Sequence, residues 1–258
     1  MILLLRNILF RIAYWATSIF FALTSVLFLL MPSRKPMVFW IITYAKVMCF
    51  WMRWITGVKI VVRGRENIPD GACIIAAKHQ SWGDGFAMLS QFDDLAFVTG
   101  DHLEKFPLVG GILRKMGAII VDNCGGAYAR ARLVDTELKH AQKENRRILI
   151  YPEGHLSPVG QQFRYKKGVY HMYAGYDRPV SPVATNLGLR WPQQSWRLTP
   201  GEAVIEFLAP IPPGIEKAAF MERLERSIET RSIELLGDER PTEIEIGAVL
   251  PDPQGRPS

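Results

Sequence analysis

The feature that most constrains this chain is an uncharged apolar run of twenty residues near its amino terminus, residues 12–31. As an α-helix this run would be about 30 Å long, which matches the hydrocarbon core of a bilayer. A cleaved signal peptide is the competing interpretation, but its apolar region is usually shorter and ends at a small-residue cleavage site, which we do not find. Basic residues on both sides leave the orientation open. They are Arg6, Arg11, Arg34 and Lys35. The run predicts a retained membrane anchor.

A second apolar stretch, residues 37–55, follows Pro36 and carries Lys46 and Arg53. Residues seven positions apart share one face of a helix. A helix that lies in the membrane interface, with both cations directed to water, explains this pattern. The alternative is a core helix packed on the catalytic domain. In either case residues 1–55 contain no acidic residue and are predicted to form the membrane-anchor helices.

From Val58 onward, short apolar and β-branched runs alternate with helical patterns, which predicts an α/β sheet covered by helices on both faces. Residues 128–147 and the apolar positions near Leu224 predict two of these helices. Residues 56–240 are therefore predicted to form the catalytic domain, and residues 241–258 a tail that ends in disorder. The predicted strands are residues 58–62, 73–77, 95–98, 118–121, 148–151, 180–184 and 203–208.

Charge and cysteine usage narrow the class of protein. The formal net charge of +6 suits a protein that lies against anionic lipid, although a modest positive charge also serves solubility alone. Cys49, Cys73 and Cys124 are far apart and form no C-x-x-C pair, which argues against a disulfide framework and a zinc knuckle. We expect a reducing, cytosol-facing catalytic domain with no metal site, no cofactor and no nucleic-acid partner.

The most informative stretch is KHQSWGDG, residues 78–85, which directly follows a buried apolar strand. His79 would lie at the end of that strand, where ligands of α/β proteins collect. Asp84 follows five residues later, and the two side chains can meet if a turn separates them, which Gly83 and Gly85 favour. The alternative reading is a structural His–Asp pair with Ser81 as a helix cap.

A histidine held by a carboxylate keeps one ring nitrogen protonated and leaves the other free to accept a proton. This arrangement is the base and orienting half of a Ser-His-Asp triad. The nucleophile would then be a hydroxyl of the substrate, which attacks an acyl thioester directly. We predict His79 as the general base and Asp84 as its orienting partner.

A second polar turn, YPEG, ends the predicted strand at residues 148–151. Pro152 and Gly154 set the turn, and Glu153 would project at the strand end, where its carboxylate could bind substrate hydroxyls. The alternative is an ordinary surface turn residue.

Together these stretches resemble the 1-acylglycerol-3-phosphate acyltransferase family, whose members form phosphatidic acid from lysophosphatidic acid and acyl-CoA or acyl-ACP. Four blocks match in order between about residues 58 and 214. They are KHQSWGD, FPLVGGILRKMGAIIVDN, YPEG and VSPVATN. The resemblance implies a mixed, largely parallel sheet flanked by helices, base and orienting roles for His79 and Asp84, and substrate binding through Glu153, Gly154 and Pro182. It also implies a bacterial cytoplasmic membrane protein.

The chain departs from the family pattern where the family carries cations that hold the acceptor's phosphate. Gly100, Asn123 and Leu156 occupy those positions, and none of them can imitate the bidentate fork of arginine. Either other residues hold the phosphate, or the acceptor is another lyso-lipid such as a lyso-ornithine lipid. The candidate substitutes are Arg164, Lys166, Lys167 and His155.

Three functions remain open from the sequence. The leading prediction is an O-acyltransferase that joins a fatty acyl group to a lyso-lipid hydroxyl. The second is a catalytically silent relative that binds lipid, which the retention of His79, Asp84 and Glu153 disfavours. The third is a lipid hydrolase with Ser81 or Ser157 as nucleophile. Neither serine lies in a G-x-S-x-G motif, the nucleophile turn of α/β-hydrolases. The sequence leaves the donor, the chain length and the oligomeric state open.

Overall fold

Each apolar run that was predicted to be a strand forms one, within two residues of the predicted bounds. The computed structural model describes residues 1–121, 127–193, 195–239 and 249–250. Two short strands, β6 and β9, were not predicted. The strands are β1 (Val58–Arg63), β2 (Ile74–Ala77), β3 (Leu95–Gly100), β4 (Ile119–Val121), β5 (Arg147–Ile150), β6 (Gln162–Phe163), β7 (Val180–Thr185), β8 (Gly201–Phe207) and β9 (Val249–Leu250).

Helices alternate with these strands, as the sequence pattern predicts. They are α1 (Ile2–Leu29), α2 (Lys35–Trp51), α3 (Asp84–Leu89), α4 (Val109–Met116), α5 (Ala127–Lys143), α6 (Gly168–Tyr176) and α7 (Lys217–Glu234). A π-helical segment, Met52–Thr56, extends α2. Short 3₁₀ segments lie at Arg65–Asn67, Asp101–Lys105, Leu187–Leu189 and Gly237–Glu239.

The chain divides into two compact units that interleave along the sequence. The first unit contains Met1–Thr56 and Gly85–Leu149, and the second contains Gly57–Asp84 and Ile150–Ser258. The predicted boundaries at residues 55 and 240 stay a prediction. Asn123, Cys124 and most of the predicted tail, including the end that was predicted to be disordered, lie outside the described residues.

In the first unit, β3 lies between β5 and β4, and both pairings are parallel. Helices α1 and α2 pack against α4 through apolar side chains that share one core. Its buried members include Met37, Ile42, Ile112 and Met116. The amino-terminal helices therefore form one compact unit with α4, which lies within the second sequence block.

Helix α1, and α2 together with its π-helical extension to Thr56, are long and apolar enough to cross a membrane, by length and composition. The predicted anchor, residues 12–31, is the carboxyl-terminal part of α1, which spans 28 residues and about 42 Å. Most large apolar side chains of α1 are exposed. Between the helices, Trp40 and Trp51 donate indole N–H hydrogen bonds to the hydroxyls of Thr24 and Thr17, at 3.1 and 3.0 Å. The two helices thus form a hairpin with polar contacts inside it.

In the second unit, the strand order is β1-β8-β7-β2. The pairs β1–β8 and β2–β7 are parallel, and β7–β8 is antiparallel. Helix α7 packs on β7 through a stripe that includes Phe220, Leu224 and Ile228, all fully buried. Among the pairings described for the seven main strands, four are parallel and one is antiparallel, so the predicted mixed, largely parallel sheet flanked by helices is confirmed.

Candidate active site

The candidate site begins where β2 ends. All four residues of β2 are buried, and its pairing with β7 continues for one residue as Lys78 N–H donates to the carbonyl of Val183 at 3.0 Å. His79 is the next residue, and its side chain is 20% exposed. A fully buried strand thus fixes the backbone of Lys78 and delivers His79 to the surface of the unit.

The chain turns sharply after His79 and brings Asp84 back to it. One oxygen of Asp84, Oδ2, lies 3.0 Å from His79 Nδ1 and also accepts the backbone N–H groups of Gln80 and Ser81, at 2.7 and 2.8 Å. Ser81 Oγ accepts the N–H of Gly83 at 3.0 Å, which closes the turn. The predicted pairing of the imidazole with the carboxylate across a turn is present in the structure.

This geometry assigns different roles to the two ring nitrogens of His79. The carboxylate of Asp84 is an acceptor, so His79 Nδ1 carries the proton and Nε2 presents its lone pair. The side chain of Asp84 is 3% exposed and two backbone donors hold it, so it cannot turn away easily. The pair can therefore take a proton at Nε2 and stabilise the resulting imidazolium.

Tyr151 fixes the plane of the imidazole. Its ring stacks on that of His79 with a centroid distance of 4.0 Å and an interplanar angle of 15°. The hydroxyl of Tyr151 is buried and has no hydrogen-bond partner among the described residues. Burial, together with the nearby charge of Asp84, raises the pKa of Tyr151 well above 10. Tyr151 therefore remains a neutral aromatic support for the base.

Glu153 is fully buried, whereas the sequence suggested a carboxylate at the sheet's edge. Its Oε1 accepts the backbone N–H of His79 at 3.1 Å, and its Oε2 accepts from Lys78 Nζ at 2.9 Å and from the hydroxyl of Ser157. The N–H of Ser157 in turn donates to the carbonyl of His79 at 2.7 Å. Glu153 of the YPEG turn and Ser157 just after it thus hold the backbone of His79 on both sides.

Lys78 joins this turn to helix α7. Its Nζ lies 2.9 Å from Glu153 Oε2 and 2.9 Å from both oxygens of Glu229, and it also donates to the carbonyl of Gln161 at 3.1 Å. The hydroxyl of Tyr165 donates to Glu229 at 2.7 Å. One ammonium therefore serves two buried carboxylates directly behind the base.

The charges of this cluster are strongly perturbed. Burial opposes the ammonium of Lys78, but Glu153 and Glu229 outweigh it and raise the pKa of Lys78. Burial also raises the pKa of Glu229 to about 7, against the attraction of Lys78, and the charge of Glu153 adds to the rise. Burial and the neighbouring Glu229 raise the pKa of Tyr165 well above 10. Glu229 is thus the member of the cluster that changes charge near neutrality.

The other predicted substrate-binding residues lie in different environments. Gly154 is exposed at the turn with φ +72°, and a side chain there would contact Lys166 Cγ at 3.3 Å. Pro182 is buried in β7, opposite Ala76 of β2. Arg164 and Lys167 are exposed on the segment after β6. The structure brings together His79, Asp84 and Glu153, while substrate contact by any of these residues stays a prediction.

Solvent accessibility differs between the residues at the family's cation positions and the residues that could replace those cations. Gly100 ends β3 in the first unit, and Leu156 is half-buried in the second. His155 is half-buried, with its ring edge-on to Phe163, and its Nδ1 lies 2.9 Å from the carbonyl of Glu153. The backbone N–H of Lys166 donates to the carbonyl of Pro152 at 2.8 Å, which ties the basic segment to the YPEG turn.

The roles of Lys78, Tyr151, Tyr165 and Glu229 were missed by the sequence analysis. A lysine that directly follows a buried apolar run is a signal for a buried ion pair, but the sequence does not reveal its distant partner. The two serines that a hydrolase would need are fully buried. Ser81 accepts a turn N–H and Ser157 donates to Glu153, so neither is presented as a nucleophile.

Known proteins are similar to this chain over the region that contains these residues. The family model described as Acyltransferase matches residues 59–186, which include both sequence blocks around His79 and Glu153. A Pseudomonas aeruginosa 1-acyl-sn-glycerol-3-phosphate acyltransferase is 30% identical over 187 residues, which are 72% of this chain and 70% of the relative. A Saccharomyces cerevisiae protein of the same name is 26% identical over 70% of this chain, and the match spans 60% of that protein. The crystal structure of the 1-acyl-sn-glycerophosphate (LPA) acyltransferase PlsC from Thermotoga maritima superposes with a TM-score of 0.73 at 23% identity, covering 91% of this chain and 98% of the other.

Proposed function

This chain belongs to the 1-acylglycerol-3-phosphate acyltransferase family and is an acyltransferase, and we propose that it transfers a fatty acyl group to the free hydroxyl of 1-acylglycerol 3-phosphate. The donor would be a thioester of coenzyme A or of acyl carrier protein. The observation that carries the proposal is the 3.0 Å contact between His79 Nδ1 and Asp84 Oδ2 at the end of β2, which leaves Nε2 free. No cofactor is needed because the substrate supplies the nucleophile.

The proposed reaction is a single acyl transfer through a tetrahedral intermediate. His79 Nε2 takes the proton of the acceptor hydroxyl while that oxygen attacks the thioester carbonyl. Asp84 stabilises the imidazolium, which then returns the proton to the departing thiol sulfur as the C–S bond breaks. A positioned general base contributes about 10²–10⁴-fold in rate. The products are the diacyl lipid and the free thiol, so no group remains on the enzyme.

One specific observation supports a second acceptor class. Gly100, Asn123 and Leu156 stand where the family carries phosphate-binding cations, so a lyso-lipid with another head group, such as a lyso-ornithine lipid, is the alternative. The exposed cations Arg164 and Lys167, which flank the segment tied to the YPEG turn, support retention of a phosphate acceptor instead. We favour the phosphate acceptor because the relatives are 1-acyl-sn-glycerol-3-phosphate acyltransferases.

We propose that the enzyme lies at the bacterial cytoplasmic membrane, with its catalytic domain facing the cytosol, where thioester donors are made. The exposed apolar surface of α1 supports membrane association because it covers most of a helix about 42 Å long. The first 55 residues also contain six basic and no acidic residues, which suits contact with anionic lipid.

The test is an acyl-transfer assay on membranes that contain the full chain. Oleoyl-CoA and oleoyl-acyl carrier protein are each offered with lysophosphatidic acid, lysophosphatidylethanolamine and lyso-ornithine lipid. We expect diacyl product from lysophosphatidic acid in wild type and none with His79→Ala. Product from the lyso-ornithine lipid alone would replace the proposed acceptor by the alternative, and no product from any pair would refute lipid acyl transfer.

A further inference from the structure

Two stacked tryptophans are exposed beside the candidate site. Among the described residues of the second unit, Trp82 and Trp196 are the exposed large apolar side chains, at 43% and 42% exposure. Their rings are nearly parallel, at 12°, with centroids 5.7 Å apart. Trp82 lies in the turn between His79 and Asp84. An exposed indole pair is therefore part of the segment that carries the base.

The loop that contributes Trp196 is fixed to this turn by several contacts. Ser81 and Pro192 form an isolated β-bridge, and Trp82 Nε1 donates to the carbonyl of Gln193 at 3.1 Å. Trp196 also packs on Trp191, which is fully buried, with a centroid distance of 6.1 Å. The two exposed rings are therefore held in place by a hydrogen bond and by packing on a buried tryptophan. We refer to Trp82 and Trp196 together as the indole pair.

From this geometry we infer that the indole pair docks the second unit onto an anionic lipid surface, beside the hydroxyl that His79 deprotonates. Indole rings prefer the level of the lipid head groups, since one part is apolar and the N–H is polar. Arg197 follows Trp196 and is exposed, which supplies a positive charge for anionic head groups. The inference rests on the proposed lipid acceptor and adds a contact separate from α1 and α2.

The alternative occupant is the adenine base of a coenzyme A donor, which could also stack on an indole. We favour the lipid surface because both indole rings are exposed together and next to the cation of Arg197. Stacking of one adenine base would need only one face of one ring. The two occupants make different kinetic predictions. Loss of a lipid contact should raise the mole fraction of acceptor needed for half-maximal rate on membranes, while loss of an adenine contact should raise the KM of the donor.

The test compares wild type with Trp196→Ser in the full chain. One assay uses protein reconstituted in phosphatidylcholine–phosphatidylglycerol vesicles with increasing mole fractions of oleoyl lysophosphatidic acid. The other uses detergent-solubilised protein with a hexanoyl acceptor that stays monomeric in water. We expect Trp196→Ser to raise the half-saturating mole fraction about tenfold, with the rate on the hexanoyl acceptor and the donor KM within twofold of wild type.

Two further variants and a binding readout make the result specific. Trp196→Tyr keeps an aromatic ring in the stack and should stay near wild type, and Arg197→Gln should weaken the vesicle reaction only when phosphatidylglycerol is present. Quenching of tryptophan emission by brominated lipid should fall when Trp196 is replaced by phenylalanine. This readout needs no activity, so it tests the surface even if wild type fails to acylate either acceptor.

Three outcomes would overturn the inference. A raised donor KM would mean that the indole pair binds the adenine of the coenzyme A donor. Equal losses on vesicle and monomeric acceptors would mean that Trp196 acts only by supporting the His79 turn. Unchanged quenching in Trp196→Phe would place the ring beyond the reach of lipid.

Discussion

Replacement of Lys78 by methionine tests the buried cluster behind the base. Lys78 is 1% exposed, and its ammonium lies 2.9 Å from Glu153 and from Glu229, which are 0% and 4% exposed. Methionine has a similar length but no charge, so both carboxylates would lose their cation while remaining out of water. Removal of one partner from a buried ion pair costs about 3–5 kcal/mol. We therefore expect the free energy of unfolding to fall by about 4 kcal/mol.

The measurement is thermal unfolding in detergent, followed by near-ultraviolet circular dichroism. In a chain of this size, each kcal/mol changes the apparent Tm by about 2–4 °C, so Lys78→Met should lower it by roughly 10 °C. Lys59→Met is the matched control, because Lys59 also contacts a glutamate, Glu202, at 2.8 Å. That pair is more than half exposed, so the control should change stability by less than about 1 kcal/mol.

A double variant separates charge from packing. Adding Glu229→Gln to Lys78→Met removes one of the two carboxylates left without a cation, so part of the lost stability should return. Equal changes of Tm in Lys78→Met and Lys59→Met would refute the argument, because burial would then make no difference to the strength of the pair. Full stability of Lys78→Met would have the same meaning.

Four further predictions follow from the same geometry. His79→Ala should lower kcat by at least about 10³-fold in the acyl-transfer assay while the protein still sediments with membranes. Asp84→Asn should cost less, on the order of 10²-fold, because the ring remains in place but its imidazolium loses a charge partner; a loss as large as that of His79→Ala would contradict the supporting role proposed for Asp84. Tyr151→Phe keeps the stacked ring and should retain activity within about twofold, whereas Tyr151→Leu should lower kcat about threefold to tenfold, and equal effects would exclude stacking as the reason. Because the pKa of Glu229 is raised to about 7, its folded form binds a proton more tightly than the unfolded chain does. Its contribution to stability is complete below about pH 4.5 and is lost as the pH rises through about 7. The Tm of wild type should therefore decline between pH 5 and 8 more steeply than that of Glu229→Gln, and parallel curves would refute the raised pKa.

The sheet was predictable because its main strands are short apolar runs bounded by turn residues. Residues 73–77 and 180–184 are nearly continuous apolar segments, as expected for strands buried on both faces. Strands β6 and β9 were not predictable, since two-residue pairings produce no periodic pattern. The anchor was predicted at residues 12–31, but α1 begins at Ile2 because the apolar sequence continues before Arg11.

The base and its partner were predictable from sequence because they lie five residues apart on one turn. The environment of Glu153 was not, because its burial depends on Lys78, Ser157 and the backbone of His79 closing around it. Glu229 lies 151 residues from Lys78 along the chain, so only the folded arrangement of α7 reveals the pair. Local patterns thus predicted the contact between His79 and Asp84, and tertiary packing determined the contacts that support it.

Both main-chain groups of His79 form hydrogen bonds with one short segment, the N–H with Glu153 and the carbonyl with Ser157. None of these contacts involves the imidazole, so deleting the ring should leave the surrounding framework in its native shape. His79→Ala is therefore suited to capturing unreacted donor and acceptor together for crystallography, since it removes the proposed proton acceptor and leaves the backbone contacts of residue 79 in place.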